Sequence, residues 1–61
     1  MKQQHPYRLV MAISGTLYRT EPKTMTYDDA QEWVIAATCA PGGEYLHSLE
    51  RLETTTAWVL V

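Results

Sequence analysis

The segment from Tyr7 to Ile13 has apolar residues on both of the faces that a β-strand would present. The alternating residues are Leu9, Met11 and Ile13 on one side and Val10 and Ala12 on the other. Residues 57–61 repeat this pattern around Trp58 and Leu60. A small sheet covered by a single helix normally has one apolar and one polar face. The pattern therefore predicts that a partner, or a second copy of the chain, covers the second face.

A tight hairpin is predicted around Ser14-Gly15, a dipeptide that is typical of turns. A second strand follows over residues 16–20, and Glu21-Pro22-Lys23 ends it. A two-residue turn pairs Ile13 with Thr16 and continues the register back along the strand. The predicted pairs are Ile13 with Thr16, Ala12 with Leu17, Met11 with Tyr18, and Val10 with Arg19. The polar residues 1–6 are predicted to form a loose N-terminal arm.

The clearest element is a helix over about residues 27–39. Thr26 is a good N-cap, and Asp28 and Asp29 suit the positive end of the helix dipole. The positions of Met25 and Ala30 match a hydrophobic staple, which fixes the entry into a helix. One apolar helix face recurs at helical spacing and is predicted to pack on Leu9, Met11, Ile13 and Tyr18; it consists of Ala30, Trp33, Val34 and Ala37.

Residues 45–52 are compatible with either a strand or a helix. The spacing of Leu46, Leu49 and Leu52 is helical, whereas Tyr45, His47 and Leu49 alternate as in a strand. We favour a strand, because a second helix would leave the closing strand at 57–61 in a very thin sheet. The predicted fold class is α+β, a small antiparallel sheet (hairpin–helix–hairpin) with one helix packed on one face.

Length and charge narrow the class of protein. A chain of 61 residues corresponds to one domain at most, and its stability is marginal without association. The net charge of −2 and the scattered Lys and Arg residues lack the basic stripe typical of nucleic-acid binding. No apolar stretch reaches the length of a membrane span or resembles a signal peptide. We therefore expect a cytoplasmic protein without a nucleic-acid or membrane partner.

Few residues are candidates for chemistry. The single cysteine, Cys39, lies at the predicted helix C-terminus, where the dipole disfavours a thiolate. His5 and His47 make no metal-ligand spacing with it, and Ser48 beside His47 is not by itself a catalytic pair. We therefore expect no enzyme activity, no cofactor and no metal site.

The predicted hairpin register brings an apolar strip between two arginines onto the face away from the helix. Its predicted partner-binding residues are Arg8, Val10, Leu17 and Arg19. Interfaces favour arginine beside apolar side chains. Two alternatives remain open: the chain's own arm covers this strip, or the acidic helix face around Asp28, Asp29 and Glu32 is the docking surface.

The string from Thr26 to Trp33, followed by a short helix, Pro41-x-Gly43 and a closing β segment, resembles small phage-encoded inhibitors of bacterial RNA polymerase. The same layout is similar to short prophage proteins. The resemblance implies a non-catalytic protein-binding module that binds and inhibits a bacterial host protein. The alternative is a self-assembling domain, a homodimer that pairs through its sheet.

Overall fold

A computed structural model describes residues 3–54 and 56–61, which form one curled antiparallel sheet and one α-helix. The elements, in chain order, are β1 (Gln4–Ile13), β2 (Thr16–Arg19), β3 (Lys23–Thr26), α1 (Tyr27–Cys39), a 3-10 turn (Gly43–Tyr45), β4 (Leu46–Leu52) and β5 (Trp58–Leu60). The sheet order is β2-β1-β4-β5, and β3 pairs with β1 as well. The α+β prediction, with a hairpin before and after one helix, is confirmed.

The β1–β2 hairpin has the predicted register, from Ile13 with Thr16 to Val10 with Arg19. Ser14 and Gly15 both have positive φ, 51° and 81°. Positive φ at both central residues is the requirement of a type I′ turn, whose twist matches that of paired strands. The turn therefore fixes which side chains share a face.

The prediction of a loose N-terminal arm over residues 1–6, whose first two residues lie outside the described part of the chain, was wrong for Gln4 to Pro6. These residues belong to β1 and pair with β3, for example His5 with Met25. The second hairpin strand does break after Arg19, but it resumes at Lys23. Thr20 bridges the break, since its backbone N–H donates to the Leu9 carbonyl and its hydroxyl accepts from the Leu9 N–H. Strand β3 supplies backbone hydrogen-bond partners to Gln4–Pro6, and these polar residues therefore form a strand.

Helix α1 begins directly after its predicted N-cap, Thr26, and ends at Cys39, which matches the predicted range. The Thr26 hydroxyl accepts a hydrogen bond from the Asp29 N–H at 3.2 Å and so satisfies one of the unpaired donors of the first turn. At the other end, Gly43 lies so close to the helix that a Cβ there would overlap the carbonyl oxygens of Ala37 and Thr38. Only glycine therefore fits where the chain leaves the helix for the sheet.

Residues 45–52 form strand β4 from Leu46 onward, as favoured. Val10 pairs with Ser48 but Met11 pairs with Leu46, so His47 is the extra residue of a β-bulge. The bulge lets Leu46 and Leu49 both pack in the core although they are three residues apart. It explains why the spacing of these leucines also looked helical.

The core lies between α1 and the sheet. Its buried residues are Tyr7, Leu9, Ala30 and Leu49, with Met25, Trp33, Val34, Ala37 and Leu46 packed around them. The predicted helix face is therefore confirmed, but Ile13 and Tyr18 are exposed, not core residues. The helix packs on β1, β3 and β4, so the end of the first hairpin extends out of the core.

Candidate functional site

The sheet surface opposite α1, here called the open face, contains the predicted partner-binding residues. Cross-strand pairing places Val10 beside Arg19, and Ala12 beside Leu17. Arg8 lies two positions before Val10, and Glu50 of β4 is its partner across the sheet. The structure thus places Arg8, Val10, Leu17 and Arg19 on one face of the sheet.

An ion-pair network occupies the centre of this face. Arg8 Nε donates to Glu50 Oε1 at 2.7 Å, and Arg19 Nε lies 3.7 Å from the same oxygen. The Glu50 side chain is only 16% exposed, and that of Arg8 is 20% exposed. A carboxylate this shielded from water is stabilised by charged hydrogen-bond donors. Glu50 therefore holds the two arginines together.

Trp58 of β5 completes the network. The Arg8 guanidinium carbon lies 3.9 Å from the centroid of the Trp58 ring, a cation–π distance. Trp58 pairs with Leu52 of β4, and Leu60 with Glu50, so both β5 side chains face this way. The network adds side-chain contacts between β1, β2, β4 and β5 to the backbone pairing of these strands.

The four predicted residues differ in what they offer a partner. Val10 is 2% exposed, so it is part of the protein interior and presents no surface. Arg8 is largely engaged within the chain. Leu17 is 45% exposed and the Arg19 side chain 44%. Leu17 and Arg19 are therefore the accessible part of the predicted strip.

Sequence reasoning missed Glu50, Trp58 and Leu60 on this face. Leu60 is 69% exposed, more than any other large hydrophobic residue in the described part of the chain. Finding these residues required the register between β1 and β4, which pairs positions about forty residues apart. The apolar alternation at 57–61 was the available signal, but it did not identify the strand partner.

The other candidate residues are at the surface. Cys39 is a free, exposed thiol, and His47 Nδ1 lies 3.1 Å from the hydroxyl of the adjacent Ser48. This pair is exposed, and within the described chain the ring makes no second hydrogen bond that would orient it. Across residues 3–54 and 56–61, no three His, Cys, Asp or Glu side chains are placed to hold a metal ion. The described part of the chain also contains no helix that is long and apolar enough to cross a membrane.

Comparison with protein families, curated proteins and solved structures finds no match to this chain.

Proposed function

We propose that this chain is a non-catalytic protein-binding module whose partner docks on the open face of the sheet. The observation that carries the proposal is the exposure of Leu17, Leu60 and Arg19 on a face where no helix of the described residues packs. Exposed apolar groups cost about 25 cal/mol per Å² in water, so covering them favours association.

The chemistry of the face indicates the kind of partner. Glu50 already accepts from Arg8 at 2.7 Å, and Arg19 is farther from it at 3.7 Å. The half-exposed Arg19 guanidinium therefore has donors directed to solvent, and guanidinium pairs well with carboxylates. The expected partner is a protein surface with an acidic residue beside an apolar patch.

The resemblance of the segment from Thr26 to Trp33 to phage inhibitors of RNA polymerase supports a more specific proposal. The chain would be a phage or mobile-element protein that binds and inhibits a bacterial host protein. A reduced, exposed Cys39 is compatible with the cytoplasm, where such a target lies.

The test is a quantitative pull-down from bacterial lysate with matched variants. We expect Leu17→Ser and Arg19→Gln each to reduce capture of the same host protein, together by at least about tenfold, or about 1.4 kcal/mol. Glu32→Lys, on the exposed side of the helix, is the matched control and should leave capture unchanged. Purified bacterial RNA polymerase, titrated against the same three variants, tests the target that the resemblance implies.

Circular dichroism melts of these variants separate binding from folding. Both open-face positions are half-exposed, so their replacement should shift stability by no more than about 0.5 kcal/mol. Capture that survives at Leu17 and Arg19 but is lost in Glu32→Lys would contradict the choice of face and favour the acidic helix.

Self-assembly is the second candidate, and strand β5 favours it. Within the described chain, β5 pairs only with β4, and its Val59 and Leu60 are exposed. An exposed edge strand with apolar residues is a template for pairing with another strand. Light scattering after size exclusion distinguishes the two: a stable dimer that Leu60→Lys converts to monomer would support self-assembly over a heterologous partner.

A further inference from the structure

A cleft of about 360 Å³ opens on the helix side of the sheet, near the start of α1. Its volume lies within the range of small-molecule sites. The residues that line it are Gln3, His5, Tyr7, Tyr27, Asp28 and Arg51. Because Tyr7 and the open-face residue Arg8 alternate along β1, the cleft and the proposed docking surface lie on opposite sides of the sheet.

Tyr7 is the unusual member of this cleft. The residue is 0% exposed, and its hydroxyl is buried with no hydrogen-bond partner among the described residues. An unsatisfied buried hydroxyl costs about 1–3 kcal/mol, and such groups are rare in folded proteins. Phenylalanine would pack the same ring without this cost. The guanidinium of the neighbouring Arg51 carries donors only, so the hydroxyl proton still lacks an acceptor in the described chain.

Arg51 places further donors next to that hydroxyl. It is the cross-strand neighbour of Tyr7, and its Nε donates to Glu53 Oε1 at 2.6 Å. Its Nη2 also donates to Glu53, and this hydrogen bond raises the pKa of Arg51. The Tyr7 hydroxyl oxygen lies close enough to the guanidinium to raise the pKa of Arg51 as well. A guanidinium has five N–H donors, so donors remain after the pair with Glu53 is made. One acceptor group could receive bonds from both Tyr7 and Arg51.

We propose that this cleft binds a small organic monocarboxylate, with the Tyr7 hydroxyl and the Arg51 guanidinium as donors to the carboxylate oxygens. Planar bidentate pairing with carboxylates is what guanidinium geometry suits best. The rings of Tyr27 and His5 form walls against which a flat apolar body can pack. His5 meets Tyr7 edge-on, at 90° and a centroid distance of 6.5 Å.

The charges around the cleft determine whether a singly or a doubly charged anion binds better. Glu53 is bound to Arg51 just beside the cleft. Because this carboxylate already offsets the charge of the Arg51 guanidinium, a doubly charged ligand such as phosphate is disfavoured more than a singly charged one. The occupant is therefore a monoanion whose affinity comes partly from its apolar body.

Benzoate is a suitable probe, titrated into the isotope-labelled full chain and followed by amide chemical shifts. We expect saturable shifts centred on His5, Tyr7, Tyr27 and Arg51. Tyr7→Phe should weaken benzoate binding by at least about tenfold, or about 1.4 kcal/mol. It should melt no lower than the parent, because the buried hydroxyl that it removes has no acceptor for its proton. Tyr18→Phe, at an exposed tyrosine of the first hairpin, is the matched control and should bind benzoate as the parent does.

A second variant tests the arginine without touching the buried ring. Glu53→Gln releases Arg51 from its intrachain carboxylate and should strengthen benzoate binding a few-fold. Benzyl alcohol and inorganic phosphate, the neutral and the doubly charged comparisons, should both bind more weakly than benzoate. Equal binding of benzoate by the parent and Tyr7→Phe, equal binding of phosphate, or no saturation below about 10 mM would each overturn the proposal. The Leu17 and Arg19 variants should not alter this titration, so its failure is distinguishable from failure of the proposed protein-binding function.

Discussion

The two faces of the sheet are built from the same strands but are closed by different means. On the helix face, Leu9 and Leu49 are buried against Ala30 of α1. On the open face, Val10 is buried just as deeply, although no helix of the described residues packs there. Its neighbours across the sheet are Arg19 and Ser48, and Arg8 precedes it on the same face. Long arginine stems can cover apolar surface while their charged ends reach water or a partner.

This difference changes what can be concluded from the apolar residues on both faces of β1. A strand with apolar residues on both faces suggests two apolar layers, one supplied by a partner. Here an ion-pair network of Arg8, Arg19 and Glu50 replaces part of the second layer. The surface that remains for a partner is accordingly smaller and more polar than the alternation alone indicates.

The largest expected effect comes from removing a core residue of the helix face. Leu9→Ala should destabilise the protein by about 2–5 kcal/mol, the usual cost of a cavity at a buried leucine. A protein of 61 residues has a total stability of roughly 3–9 kcal/mol. We therefore expect a protein that is mostly unfolded or melts far lower by circular dichroism.

Leu17→Ala is the matched control on the open face, because the same truncation at a half-exposed site leaves no cavity. It should cost no more than about 0.5 kcal/mol. Comparable losses at Leu9 and Leu17 would show that the open face is as closely packed as the helix face, and the contrast drawn between the two faces would then be wrong.

Local chemistry explains which parts of the fold could be predicted from sequence. The start of the helix follows from Thr26 and the two aspartates after it, and the hairpin register follows from Ser14-Gly15. Each signal acts within a few residues of the structure it determines. The strand β3 could not be predicted this way, since Glu21-Pro22 interrupts the pattern and its pairing partner, the start of β1, is distant in sequence (His5, for example, pairs with Met25).

The candidate site likewise has a part that local sequence predicted and a part that it did not. The shared face of Val10, Leu17 and Arg19 follows from one turn, and it was predicted correctly. The roles of Glu50 and Trp58 depend on the register between β1 and β4, which tertiary packing and the bulge at His47 set. The burial of Val10 depends on these same long-range neighbours, so no local pattern could reveal it.

An intermediate effect is expected when the ion-pair network loses its carboxylate. Glu50→Gln leaves the shielded Arg8 without a charged acceptor, and a hydrogen bond to a charged group contributes about 1.5–3 kcal/mol. Because both side chains retain some exposure, we expect the free energy of unfolding in urea to fall by about 1–2 kcal/mol. Glu53→Gln, at an exposed pair with Arg51, should cost less than about 1 kcal/mol. Equal losses at the two glutamates would show that the network contributes no more than an ordinary surface pair.

The smallest effect concerns the aromatic ring above Arg8. Trp58→Leu keeps an apolar side chain but removes the ring face, and a cation–π contact at a partly exposed site contributes about 0.5–1 kcal/mol. Trp58→Tyr retains a ring and should lose less. Since Glu50 and Trp58 both act through Arg8, their losses should not add: the double variant Glu50→Gln with Trp58→Leu should differ from the sum by at least about 0.5 kcal/mol. Strict additivity in the unfolding free energies would mean that Arg8 does not couple Glu50 to Trp58. The open face would then be covered by separate contacts, not by a network.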